Sequence, residues 1–300
     1  MNNIKKLKIG YFADGKWAHN AFNLLIKNEN IQIMFVCVRY DTQDLVLKDL
    51  AINNGINYLK HENINSDEFL FEIQKYECDL FVSMSFNQIF KNEIINMPKM
   101  KTINCHAGKL PFYRGRNILN WALINDEKEF GITVHYMDEG IDTGDIILQR
   151  TYPINDNDSY DTLLEVAYNE CANVLYDAIL LIMNGEVKPI IQSTIHPVGF
   201  YCGMRTIGDE IVDWNKNSRD IFNFVRAICK PGPQARTSIK GIELKINKVE
   251  MINNAVSYKG IPGQIIGKIE GLPIVKTLDT MLIISEFDYL GVIRVGDRLK

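Results

Sequence analysis

Two side chains with one residue between them, Asn104 and His106, stand at the end of a strand-like run that begins at Lys101. Residues i and i+2 of a strand point to one face, so the amide and the imidazole would share it. An amide donor beside an imidazole suits oxyanion stabilisation next to proton transfer. Further on, Asp142 lies in the Gly-rich turn Asp138-Glu139-Gly140-Ile141-Asp142-Thr143-Gly144. A carboxylate there could orient the imidazole and stabilise its charged form. Taken singly, an Asn–His pair is also an ordinary strand end, and Gly140 and Gly144 equally mark a plain hairpin. His135 falls on the alternation of a strand and reads as structural. His61 and His196 are isolated and no Asp/Glu group has ligand spacing, so no metal is expected.

Such residues need a scaffold that brings them to one edge. Lys8–Phe12, Ile31–Val38 and Asp79–Ser85 are Ile/Val/Phe-rich and read as buried parallel strands. Trp17–Lys27, Thr42–Asn54 and Ser66–Tyr76 between them carry apolar residues at helical spacing. This succession predicts an α/β, doubly wound and mostly parallel sheet with helices on both faces. Ligands bind such sheets at the carboxyl ends of the strands, where Asn104 and His106 leave Lys101–Cys105. Gly131–Met137 and Asp145–Tyr152 read as strands flanking the Asp142 turn, and Asn117–Asn125 as a helix. Ser159–Met183 is a long amphipathic helix stopped by Asn184-Gly185. After about residue 200 one helix, Ser218–Cys229, precedes the break Lys230-Pro231-Gly232-Pro233. Short β-like runs follow at Ile242–Val249, Gln264–Ile269, Pro273–Lys276 and Met281–Ile284, which predict a small barrel-like or sandwich β domain. The expected division is a domain over 1–200 and a helix plus β-rich domain over 201–300.

The composition sets further limits. An apolar share of 46% and a charged share of 23% are those of a globular chain. The net charge of -4 argues against a general nucleic-acid binder, which usually shows a basic excess. No uninterrupted apolar run reaches the roughly 20 residues of a membrane span, and no membrane partner is expected. The six cysteines are scattered singly, which predicts free thiols and a reducing, cytoplasmic setting.

The stretch from Ile103 to Arg150 resembles the signature of the 10-formyltetrahydrofolate-dependent formyltransferase family. That pattern is Asn-x-His, Leu-Pro-x-x-Arg-Gly, Gly-x-Thr and Asp-x-Gly in this order. Asn104, His106, Leu110-Pro111, Arg114-Gly115, Gly131-Ile132-Thr133 and Asp142-Thr143-Gly144 match it. The resemblance implies catalysis by Asn104 as oxyanion donor, His106 as proton carrier and Asp142 as the carboxylate supporting His106. It implies 10-formyltetrahydrofolate as co-substrate, held largely by backbone groups of Gln88-Ile89-Phe90 and of Asp138-Glu139-Gly140-Ile141-Asp142. The chain departs from the common form at Gly108-Lys109, where many relatives carry Ser-Leu. This leaves the acceptor amine in question and makes Lys109 a substrate-site candidate.

Among the family, Arg114-Gly115-Arg116 followed by Asn120-Trp121 is similar to the nucleotide-sugar N-formyltransferases. Arg205-Thr206-x-x-Asp209 with Ile211-x-Asp213-Trp214 points the same way. Their acceptors are dTDP-, UDP- or GDP-linked amino sugars used for surface polysaccharides, including lipopolysaccharide O-antigen. Arg116 then suits a substrate phosphate or sugar, and Lys16 and Trp17, just past the first strand, join the substrate-site candidates. Methionyl-tRNA formyltransferase is the rival reading, and a non-catalytic folate- or nucleotide-sugar-binding protein the second. A C-terminal β unit would also offer a homodimer surface.

Overall fold

A computed structural model describes residues 6–300 of the chain. In chain order its elements are β1 (Leu7–Ala13), α1 (Gly15–Leu25), β2 (Ile31–Val38), α2 (Leu45–Asn53), β3 (Asn57–Lys60), α3 (Asp67–Gln74), β4 (Leu80–Met84) and α4 (Asn92–Asn96). Next come β5 (Thr102–His106), β6 (Arg114–Gly115), α5 (Ile118–Ile124), β7 (Glu129–Tyr136), β8 (Ile146–Pro153), α6 (Tyr160–Asn184), α7 (Gln192–Ile195) and β9 (Tyr201–Cys202). The chain ends with α8 (Ser218–Ile228), β10 (Ala235–Ile239), β11 (Ile242–Met251), β12 (Ile265–Ile269), β13 (Leu272–Lys276) and β14 (Met281–Tyr289).

Chain compactness defines two units. Among the described residues the first comprises 6–115, 131–152 and 165–201, and the second 116–130, 153–164 and 202–300. The first is built on a seven-stranded sheet in the order β3-β2-β1-β4-β5-β7-β8. Its first five strands pair in parallel, and β7 runs antiparallel to β5. Strand order reverses between β1 and β4, so the carboxyl edge of β1, β4 and β5 is where a ligand crevice belongs.

Local chemistry explains the winding. Every residue of β4 is buried, as a central parallel strand requires. Asp44 caps α2 by accepting from Leu47 N at 2.9 Å, and Ser66 caps α3 by accepting from Phe69 N at 3.3 Å. Phe12 meets Phe35, Phe81 and Phe90 edge-on at centroid distances of 5.0 to 5.4 Å, which fixes the packing beneath the β4 exit. All six cysteines are free. No single uninterrupted apolar run was expected to suit a membrane, yet α6 as a whole is long and apolar enough by length and composition. Leu163, Ala167, Cys171, Val174 and Ala178 are buried along one stripe while Glu165 is exposed, the pattern of an amphipathic core helix.

In the second unit the strands form a five-stranded antiparallel sheet in the order β10-β11-β14-β13-β12. Residues 297–300 join its two edge strands. Lys300 exchanges backbone hydrogen bonds with Ser238 on β10, Leu299 N donates to Gly263 O, and Ile265 N on β12 donates to Asp297 O. The sheet edges are thereby closed, as in a small barrel. Four strands lay outside the sequence expectation: the two-residue β6 and β9, and β3 and β10, because neither Asn-Tyr-Leu-Lys nor Ala-Arg-Thr-Ser-Ile carries a strong apolar run.

Candidate active site

The site grows from one pairing. β5 and β7 run antiparallel with Asn104 opposite His135 and His106 opposite Thr133. Cross-strand partners share a face, so these four side chains stand together at the sheet's carboxyl edge. Asp142 is delivered to them by the β7–β8 connection. Its Oδ2 lies 3.5 Å from His106 Nδ1 and accepts from Gly115 N at 2.9 Å. Its Oδ1 lies 3.5 Å from His135 Nε2 and 3.4 Å from Asn104 Nδ2. Asn104 Nδ2 is also 3.3 Å from His135 Nε2.

Burial pushes the Asp142 carboxyl up, but the His106 charge, the His135 hydrogen bond and charge, and the Gly115 N–H outweigh it. The net result holds Asp142 well below the usual carboxylate range, as a stable anion. His106 is 8% exposed, and its Nε2 donates to the Tyr113 carbonyl at 2.7 Å, so that nitrogen carries the hydrogen.

The motif residues around the cluster now have physical reasons. Thr133 Oγ1 donates to Gly108 O at 2.6 Å and accepts from Gln149 Nε2, which also donates to Leu110 O at 3.0 Å. This fastens the segment after His106. A side chain at Gly131 would come within 2.7 Å of Lys109 Cα, and one at Gly144 would overlap the Tyr136 carbonyl. At Gly108 a Cβ would overlap the His106 ring and the Tyr113 carbonyl, so the departure from the common Ser is matched by the ring's position here.

His135, read from sequence as a structural strand residue, is instead inside the cluster. Its position opposite Asn104 depends on a register 31 residues apart, which the alternation of one strand cannot show. Gln192 was not anticipated at all. It is 3% exposed and donates from Nε2 to Asp142 O and Gly144 O, each at 2.8 Å. Its Oε1 accepts from Arg114 Nε at 3.1 Å and Nη2 at 2.6 Å.

The other candidates are placed as follows. The Gln88 side chain is committed to the 61–64 loop, accepting from Ile64 N at 3.0 Å and donating to His61 O at 2.8 Å. Phe90 is a core residue packed with Phe86 and Met137, while Ile89 is exposed and its carbonyl accepts from Asn65. Asp138 Oδ1 accepts from Gly140 N at 3.0 Å and Thr143 Oγ1 at 2.5 Å, shaping a turn that leaves Glu139 and Ile141 exposed. Lys109 is half-buried. Lys16 pairs with Glu165 at 3.2 Å and lies over the Tyr168 ring, against which Trp17 also packs, so both take part in the α1–α6 contact. Arg116 belongs to the second unit; it is exposed, and its Nη1 lies 3.4 Å from Met204 Sδ.

An amide, two imidazoles and a buried carboxylate at the edge of a doubly wound sheet have the chemistry to support proton transfer and to stabilise an oxyanion. Comparison with known proteins gives the class. Residues 8–179 match the formyl transferase family and residues 206–291 the formyl transferase C-terminal domain, and the chain belongs to this family as an N-formyltransferase. It is 35% identical to the methionyl-tRNA formyltransferase of Fusobacterium nucleatum over 240 residues, 80% of this chain and 76% of that one. With the methionyl-tRNA formyltransferase of Clostridium novyi it shares 30% identity over 292 residues, 95% and 93% of the two chains. Among solved structures it resembles an N-formyltransferase from Helicobacter canadensis in complex with folinic acid and dTDP-3-aminofucose. That likeness has a TM-score of 0.72 and 25% identity over 94% of this chain and 100% of the other.

Proposed function

We propose that this enzyme moves a formyl group from 10-formyltetrahydrofolate to the amine of a nucleotide-linked amino sugar. The observation that carries the sugar acceptor is the end-to-end likeness to the Helicobacter canadensis enzyme bound to folinic acid and dTDP-3-aminofucose. Residues 88–90 and 138–142 would hold the folate. Their exposed Ile89 and Ile141 stand on loops rooted in one apolar cluster through Phe86, Phe90 and Met137, which suits a flat ring. The bound folate supplies an activated formyl carbon.

In this reading the unprotonated acceptor amine attacks that carbon, the bond from the carbon to N10 breaks, and one proton passes from the amine to N10. Asn104 donates to the formyl oxygen as negative charge develops, and His106 carries the proton. Asp142 orients His106, and His135 keeps Asn104 and Asp142 in register. Because His106 Nε2 is engaged by the Tyr113 carbonyl, proton transfer requires the 108–113 segment to release it. Arg116 and Lys109 are the side chains proposed for acceptor contact. A product of this kind would serve bacterial surface polysaccharides, with the enzyme acting in the cytoplasm.

Methionyl-tRNA is the second reading, favoured by the 30–35% identities to those enzymes. The last hundred residues also carry 15 Lys/Arg against 11 Asp/Glu. Many of these cations are already engaged, however. Arg219, Lys230, Arg236, Lys240, Lys245 and Lys248 each pair with a carboxylate, and Arg226 and Lys276 are buried. A tRNA surface needs several cations available for phosphates. The decisive experiment supplies 10-formyltetrahydrofolate with dTDP-, UDP- and GDP-linked amino sugars and, separately, initiator methionyl-tRNA. Formylation of a sugar is expected; efficient formylation of the tRNA with every sugar refused would replace this reading with the second.

A further inference from the structure

Asp142 is not held by its carboxylate alone. Its backbone lies at φ 54°, a left-handed conformation that Asp tolerates better than most residues with a Cβ, and contacts from outside the turn can stabilise it further. Gln192 is placed to do so. Both Nε2 hydrogens are used, one on Asp142 O and one on Gly144 O, and Oε1 receives two donors from Arg114. The amide therefore has its full complement of partners, in a buried setting where an unmade bond is costly. Arg114 adds a second function, because a guanidinium can only donate. It fixes which end of the amide faces the Asp142 turn, since a flipped Gln192 would set NH2 against guanidinium and oxygen against carbonyls. The next residue, Gly115, donates its N–H to Asp142 Oδ2. Arg114-Gly115 thus grips the turn twice, once directly at the carboxylate and once through Gln192.

We propose that Gln192, locked by Arg114, is a positioning residue that sets the Asp142 carboxylate against His106 and His135. The inference rests on the role given to Asp142 above and extends it to a residue between the two family-matched segments, 8–179 and 206–291. Gln192 touches neither the formyl group nor the amine in this scheme; it acts through Asp142.

The test uses the full chain. Gln192→Met keeps the side chain's length and removes both donors and the acceptor. Displacement of a working group through its supporting shell costs on the order of 10- to 100-fold, and that loss is expected in kcat. KM for the accepted substrate and the affinity for folinic acid should stay within about threefold. In the Asp142→Asn background the same substitution should cost less than about threefold, because residues that act as a unit are not additive. A readout that needs no acceptor is the carboxyl ¹³C titration of Asp142, whose midpoint should rise in Gln192→Met as the carboxylate loses its placement. Arg114→Met should move the same quantities in the same direction, and it decides the matter if Gln192→Met does not fold. Wild-type kcat, an unmoved Asp142 midpoint, or an equal loss in both backgrounds would each overturn the proposal. If Asp142→Asn alone keeps wild-type turnover, the role of Asp142 itself fails, a result visible before Gln192 is touched.

Discussion

At the scale of single residues, the candidate site is an anion, Asp142, with Gly115 N and Asn104 Nδ2 donating to it and an imidazole nitrogen of His106 and of His135 each 3.5 Å away. His106→Ala and Asn104→Ala should each lower kcat by about 10² to 10⁴, the range for single proton-transfer or oxyanion groups. Unchanged unfolding temperatures would show that the loss is chemical; a variant with wild-type turnover would remove that residue from the mechanism. Asp142 makes a separate prediction for stability. Its carboxyl titrates below its ordinary value when folded, so the folded state binds fewer protons there than the unfolded state. Its contribution is then complete above the unfolded pKa of about 4 and is lost as pH falls towards the lower folded value. Denaturant unfolding of wild type and Asp142→Asn should show a stability gap that narrows as pH drops from about 5 to about 2. A gap independent of pH would contradict the assigned environment. Spacing placed Asn104 and His106 on one strand face and Asp142 in a Gly-rich turn, but each also suited a plain strand end or hairpin, and it was the family resemblance that associated the three. His135 and Gln192 were illegible for one physical reason: their partners are 31 and 50 residues away, and only register and packing bring them in.

At the scale of elements, period and turn chemistry located most of the first unit. β1, β2 and β4 are apolar runs, and the caps at Asp44 and Ser66 are the residue types that helix starts demand. A barrel-like second unit was expected, but the residues that close its sheet were not. Residues 297–300 show no apolar run, yet they bond to β10 on one side and to the start of β12 on the other. Leu299 is the apolar anchor of that strap, 4% exposed. Leu299→Ala should therefore destabilise the second unit by about 2–5 kcal/mol, the usual cost of truncating a buried leucine. Hydrogen exchange should show the Ser238, Gly263 and Ile265 region losing protection first. Protection spread evenly over the unit, with no change in unfolding midpoint, would mean that the strap does not hold the sheet.

At the scale of the whole molecule, charge separates a small acceptor from a large one. A net charge of -4 produces no general attraction for a polyanion, and many cations of the second unit are neutralised in pairs. A nucleotide-linked sugar brings only a few phosphate charges and needs one or two basic contacts, for which Arg116 is the exposed candidate. Binding through so few charges responds weakly to ionic strength, since affinity falls with salt in proportion to the phosphates neutralised. Between 50 and 200 mM salt, kcat/KM for the sugar should thus fall by no more than roughly tenfold, whereas an acceptor making 6–10 phosphate contacts would lose about 10³ to 10⁵ in affinity. Arg116→Ala should weaken the nucleotide sugar by about 1–3 kcal/mol, the worth of a charge-assisted hydrogen bond, and reduce that mild salt slope. Measuring the slope for both acceptors, with wild type and Arg116→Ala side by side, distinguishes the cases. A steep loss of turnover with salt, insensitive to Arg116, would place the acceptor on an extended basic surface and favour tRNA.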